Sequence, residues 1–184
     1  MVDQGSPKTS GLRMRENSKK ARIANTSVVA ICAEADRVFP LETGGVLMGY
    51  EASNNSGIVI TKSIGPGMNA LHGRSKFQPD YDYQELAIAD HFYQKRGTET
   101  YLGDWHSHPN ATSGELSFMD RSTLKIIATF DAARVQIPIM AILYGASKDW
   151  RIAIWLFRPR GPFGVIPGSS KVKVEFFNAK ISAG

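Results

Sequence analysis

Residues 104–120 read DWHSHPNATSGELSFMD: two histidines two apart, a proline directly after them and, with seven residues between, a serine three ahead of an aspartate. On a β-strand residues i and i+2 point to the same face, so His106 and His108 present their imidazoles side by side at the end of a strand. Pro109 has no N–H to give to a ladder and fits the end of that strand. Ser117 stands where a helix N-cap belongs, and Asp120 is then the third helical residue. The pair resembles a capping box, which steadies a helix start by hydrogen bonds alone. A carboxylate projecting back from that first turn could instead join two neutral imidazoles as a third ligand, leaving the fourth position of a zinc ion to water. Either way the stretch is a strand, a loop and a helix start in succession.

Working outward, strand and helix signals alternate without an internal repeat. From Thr26 or Ser27, both good caps, Val28, Ile31, Cys32, Ala35, Val38 and Phe39 recur at helical spacing until Pro40. GGVLMGY and GIVITKSI, separated by EASNNS, read as a β-hairpin. GPGMNALHGRSKFQP reads as a long loop, a length that suggests function or mobility. Asp80 or Asp82 caps a helix running to about Lys95, with Gly97 as its stop. TYLGDWHS is a strand, a further helix runs from Phe118 to Phe130, and IPIMAILY with DWRIAIWLFR makes an antiparallel pair joined through GASK. A Pro- and Gly-rich connection, PRGPFGVIPGSS, leads to KVKVEFF, read as an edge strand or tail. The sum is an α/β domain with a mixed, largely antiparallel sheet and helices on its flanks.

Length and composition set the frame. A chain of 184 residues with 42% hydrophobic content suits one domain with a sizeable core. No segment is long and apolar enough to span a bilayer, and the N-terminal stretch has basic residues without an apolar run behind them, unlike a secretory signal. The single Cys32 cannot form an internal disulfide, which fits a reducing cytoplasm. Residues 1–23 hold Lys8, Arg13, Arg15, Lys19, Lys20 and Arg22 against Asp3 and Glu16, so four of the five net positive charges lie there. That arm reads as a solvated, flexible terminus; the near-neutral remainder argues against a nucleic-acid groove. The division expected is therefore arm 1–23, catalytic domain 24–160, and connection with strand or tail 161–184.

A zinc-activated water attacking a peptide carbonyl also needs a proton acceptor and donor. Glu42, in PLETGGVLMGY at the start of a strand, is a candidate, although alone it reads as a loop glutamate before a glycine turn. His72 and His91 read as surface or satisfied core residues.

Together, ETGGVLMG and HSHPNATSGELSFMD resemble the JAMM metalloproteases, also called the MPN-plus or JAB family: a glutamate, then His-x-His-Pro, seven residues, Ser-x-x-Asp. The similarity covers roughly residues 26–158, and GPGMNA, FQPD and YLGDWHSHP look like the intervening stretch of bacterial members. The resemblance implies a single JAB/MPN-type domain with one zinc ion held by His106, His108 and Asp120. It implies Glu42 as the general base, and Ser117 as the residue that helps hold the water and the tetrahedral oxyanion. No required position departs from the pattern, which argues against the non-catalytic MPN scaffolds.

The implied reaction is zinc-dependent hydrolysis of the peptide or isopeptide bond after the C-terminal glycine of a ubiquitin-like protein. Such an extended tail could add beside an exposed sheet edge near the 65–79 loop, with Phe77 and Trp105 as lining residues, though each also reads as core packing. By similarity to compact bacterial members, the partners would be a ubiquitin-like protein and E1-like and E2-like conjugation proteins of an antiphage system, the CBASS type included. Alternatives are a sulfur-carrier processing peptidase, a scaffold that only binds, and the DNA-linked RadC-like group.

Overall fold

The computed structural model describes residues 20–52, 57–130, 135, 137–158 and 168–178. Their elements, in chain order, are β1 (Lys20–Ala24), α1 (Asn25–Val38), β2 (Gly44–Glu51), β3 (Gly57–Ile64), β4 (Leu71–His72), β5 (Phe77–Gln78), α2 (Tyr81–Gln94), β6 (Thr100–Pro109), α3 (Phe118–Thr129), β7 (Ile139–Ala146), β8 (Asp149–Phe157) and β9 (Ser169–Phe177). Seven strands close into a barrel in the order β1-β3-β2-β6-β7-β8-β9, while β4 and β5 form a separate two-stranded ribbon. The pairs β1–β3, β1–β9 and β6–β7 are parallel and the other four of the barrel antiparallel. This is the mixed, largely antiparallel α/β domain expected, with the added feature that it closes on itself.

Closure corrects two expectations. Residues 20–23, assigned above to the basic arm, belong to β1, and KVKVEFF is no edge: β9 pairs with β8 on one side and β1 on the other. Composition misleads here because β1 alternates charge with apolar residues. Ala21, Ile23 and Ala24 are buried while Lys20 and Arg22 are exposed. Those two cations hold the seam, Lys20 pairing with Glu175 at 2.9 Å and the Arg22 guanidinium lying 5.1 Å from the Phe177 ring centre. Residues 1–19, most of the Pro- and Gly-rich connection and residues 179–184 lie outside the described residues, as do the expectations for them. The 65–79 stretch, read as loop, contains the β4–β5 ribbon, whose two-residue strands are too short to carry a periodic signal.

Three apolar clusters place the helices. Ile31 and Ala35 of α1 pack with Ala21, Ile23, Leu47, Ile60, Trp105, Ala141 and Ile154. Across the strands, α2 covers Val46, Met48 and Ile64 through Ala87 and Ile88. There too, Leu124 of α3 meets Met140, Ile142 and Trp155. The outer territories of α2 and α3 adjoin along β6, which pairs with β2 on one side and β7 on the other.

A β-bulge decides which way β6 faces. Leu47 pairs with Gly103 and Met48 with Tyr101, so Leu102 is skipped, and Leu102 and Trp105 both enter the α1 core although three residues apart. The extra residue resets the alternation. From there on Trp105 and Ser107 point inward, and His106 and His108 point out between the two helices. Gly103 permits it: its φ is +146°, and a β-carbon there would lie 2.0 Å from the Ile139 carbonyl oxygen. Gly103→Ala is expected to destabilise the domain by at least about 1–3 kcal/mol, read as a lowered urea midpoint. An unchanged midpoint would mean that the bulge relaxes without cost.

Candidate active site

Two segments that lie apart in the chain meet at the carboxyl end of β6. β2 runs antiparallel to β6 with Gly44 opposite His106. Just ahead of it, the Ser107 N–H donates to the Thr43 carbonyl at 2.8 Å, and the Thr43 N–H donates to Ser107 Oγ at 3.0 Å. Thr43 Oγ1 in turn donates to Glu34 of α1 at 3.1 Å. Both Thr43 and Ser107 are fully buried. Glu42 thus enters beside the histidine pair through a buried hydrogen-bonded pairing.

The third contribution comes from the start of α3. Ser117 Oγ accepts the Asp120 N–H at 3.1 Å and the Ser117 N–H donates to Asp120 Oδ2 at 2.6 Å, a complete capping box. The box fixes the aspartate's rotamer and turns Oδ1 toward His106 Nε2, 3.0 Å away; Oδ2 lies 3.7 Å from His108 Nε2. The two imidazole Nε2 atoms are 2.9 Å apart, with ring planes inclined by 60°. The cap reading and the ligand reading therefore coexist, because one carboxylate oxygen serves each.

The loop between the ligands is pinned from below. The Trp155 indole N–H donates to the Gly114 carbonyl at 2.8 Å. Gly114 itself is packed so closely on Tyr144 and Ala153 that a β-carbon would come within 2.6–2.7 Å of them.

The residues fit a metal ion. One donor atom each from His106, His108 and Asp120 lies within 4.8 Å of the others. Bonds of about 2.0–2.1 Å to a tetrahedral ion put ligand atoms roughly 3.4 Å apart; the two Nε2 atoms are 2.9 Å apart, and Asp120 reaches His106 through Oδ1 at 3.0 Å and His108 through Oδ2 at 3.7 Å. Burial lowers the proton affinity of His108, and His106 adds to this against the pull of Asp120, so it is a neutral imidazole near pH 7. Burial would raise Asp120, but hydrogen bonds from His106 and Ser117 and the His106 charge outweigh it and take the carboxyl down to about 2. Glu42 goes the other way: half-burial raises it, His106 pulls it down, and Asp120 pushes it up. The neutral imidazole of His108, the His106 imidazole, one ionised carboxylate and one carboxylate of raised basicity share the site.

Phe77 lies in β5, half-buried, with its ring edge over Gly44. Trp105 requires a correction as a lining residue: it is 2% exposed, points to the α1 side, and donates its indole N–H to the Ile64 carbonyl at 3.1 Å. Facing opposite to its histidine neighbours, it supports the strand from behind. His91 is satisfied by Glu99 at 2.7 Å, which also accepts from Thr61. Thr43 and Ser107 escaped the sequence reading, although strand alternation in HSHP does point Ser107 away from the histidines. His72 also escaped it: its Nδ1 is 2.9 Å from the Glu42 carbonyl oxygen.

Comparison with known proteins agrees with this geometry. Residues 25–155 match the family described as prokaryotic homologs of the JAB domain. The chain is 40% identical over 134 residues to a protein of Sinorhizobium fredii named "Probable metalloprotease y4qB", covering 73% of this chain and 81% of that one. It is 32% identical over 111 residues to an Escherichia coli protein named CD-NTase/cGAS isopeptidase (59% of this chain, 65% of that one). It is 28% identical over 123 residues to an Enterobacter hormaechei protein of the same name (67% and 66%). In fold it resembles the solution structure of protein DSY2949 from Desulfitobacterium hafniense, with a TM-score of 0.61 at 17% identity, over 86% of this chain and 94% of that one.

Removing the cap hydroxyl tests its part in the helix start. Ser117→Ala is expected to cost about 1 kcal/mol of stability, measured by denaturant unfolding. A variant as stable as the parent would show that the Ser117 hydroxyl carries no capping energy.

Proposed function

We propose a function from one established premise: the chain belongs to the family of prokaryotic homologs of the JAB domain. It is a peptidase or isopeptidase of that family, and our reading is that it depends on zinc and hydrolyses the bond after the C-terminal glycine of a ubiquitin-like protein or a similarly conjugated one. The observation that carries the reading is the convergence of His106, His108 and Asp120 beside a glutamate held two residues ahead of the glycine that pairs with His106.

When bound at the three donors, zinc supplies a Lewis acid for the scissile carbonyl and a water acidified to a pKa near about 7. Glu42, with its basicity raised by burial, takes the proton from the attacking water and returns it to the leaving amine. Ser117 is exposed, and its Oγ already accepts from Asp120 N–H, so its own proton is left to donate to the developing oxyanion. His106, His108 and Asp120 would hold the metal, the aspartate kept ionised by the hydrogen bond and charge of His106 and by its cap.

The substrate reading draws support from two sides. Two relatives carry the name isopeptidase, though the chain spans only 65% and 66% of their length. The barrel closes on itself, so the sheet edges nearest Glu42 are those of the β4–β5 ribbon, where an extended glycine-ended tail can pair. We place the chain by the same analogy in the cytoplasm, in an antiphage system with E1-like and E2-like partners.

The test is cleavage of a ubiquitin-like protein fused through its C-terminal glycine to a reporter, with parent, chelated and Glu42→Ala enzyme side by side. Glu42→Ala should retain metal and fold yet lose about 10²–10⁴-fold in turnover; parent-like turnover would end the mechanism. His108→Ala should lower bound zinc in elemental analysis, and full occupancy would strike it from the ligands. Failure of metal-loaded parent on every such tail, with cleavage of a sulfur-carrier protein instead, would reassign the substrate.

A further inference from the structure

We propose that His72 is a positioning residue for Glu42, and that the β4–β5 ribbon straps the glutamate's segment onto the metal face. The inference rests on the reading of Glu42 as the base. Glu42 stands one residue beyond the last residue tied to β6, since Thr43 pairs with Ser107 and β2 begins at Gly44. Its own peptide groups have no strand partner in the barrel, and a half-buried N–H and C=O need partners. The ribbon supplies both. The Glu42 N–H donates to the Gly73 carbonyl at 2.8 Å, and the Glu42 carbonyl accepts from His72 Nδ1 at 2.9 Å. A carbonyl oxygen can only accept, so the His72 tautomer in place carries its proton on Nδ1.

A third contact seats the ribbon. The Phe77 ring stacks on His72 with centroids 5.6 Å apart and planes inclined by 29°. Its edge occupies the space over Gly44, where a β-carbon would come within 2.8 Å of it and 2.9 Å of His106 Cβ. Residue 42 is thus gripped at both backbone polar groups and residue 44 is covered, while the Glu42 carboxylate is left to the chemistry. The ribbon is otherwise open to solvent, with Leu71 64% exposed. A tail lying along it therefore touches the element that holds the base, so that substrate docking and base placement are mechanically joined.

His72→Phe keeps a ring against Phe77 and removes the donor, whereas His72→Asn puts an amide N–H where Nδ1 stands. On the glycine-linked reporter, His72→Phe is expected to lower kcat about ten- to a hundred-fold, with KM within about twofold and bound metal unchanged; His72→Asn should recover most of kcat. Independently of substrate, amide exchange at Glu42 should quicken about tenfold or more in His72→Phe and stay slow in His72→Asn. Unchanged kcat in His72→Phe, a rise in KM alone, or an equal loss in both variants would overturn the proposal. Should His72→Phe not fold, His72→Leu carries the same comparison. Glu42→Ala run alongside separates the two readings: turnover surviving there removes the base itself, whereas an inactive Glu42→Ala beside a fully active His72→Phe removes only the strap.

Discussion

The close pairing of β2 with β6 is the constraint from which the site follows. It sets Gly44 opposite His106 and joins segments 64 positions apart through Thr43 and Ser107. The approach is closer than any side chain allows: a β-carbon on Gly44 would lie 2.6 Å from the Trp105 carbonyl, and one on Gly45 2.7 Å from the Trp105 indole nitrogen and, on the β3 side, 2.0 Å from the Ile64 carbonyl. The GG after Glu42 is thus a packing requirement that brings an acid and two imidazoles to one place. At Glu42 and Thr43 all four backbone polar groups are paired, two to the ribbon and two to Ser107.

That rigid placement lets two carboxylates a short way apart behave oppositely. Asp120 sits in a helix cap with N–H groups and an imidazole turned toward it, and stays ionised to about 2. Glu42 is shifted the other way: burial makes it a better proton acceptor, His106 pulls against this, and the Asp120 charge adds to it. Environments that push two acids apart suit them to different tasks, here the cation and the proton transfer proposed above. The cap matters twice, since it both orients Asp120 and leaves a negative charge that raises Glu42.

Much of this was legible beforehand, and the exceptions have physical causes. His106, His108, Ser117 and Asp120 could be read because strand alternation and cap spacing are local; α2 and α3 follow from their caps, and α1 from apolar periodicity alone, since it starts at Asn25 with Ala24 at the N-cap and not at Thr26 or Ser27. Glu42 could be offered as a proton acceptor but read alone as a loop glutamate, and the base role came from the resemblance to a family, since nothing local says that residue 42 meets residue 106. The bulge at Leu102 and Gly103 is invisible to pattern reading, yet it decides that the histidines face outward and Trp105 inward; Trp105 was misplaced as a lining residue although strand alternation already sets it opposite to His106. β1 and β9 were misread because Lys, Arg and Glu alternate with small or apolar residues, a composition shared with a solvated arm. His72 looked idle because its partner is a backbone carbonyl, which leaves no trace in residue types.

The seam between the first and last described strands also has a bearing on how the chain folds. β1 lies between β3 and β9, and just past it the Asn25 side chain donates to that of Asn178 at 2.6 Å, across 153 positions of sequence. Contacts of that span are slow to form because loop entropy is spent before they reward it. Every residue of the site has been synthesised by Asp120, but the barrel has no closing strand until Phe177. During synthesis, then, all the side chains of the candidate site emerge from the ribosome well before the wall that shuts the barrel, and the site matures late.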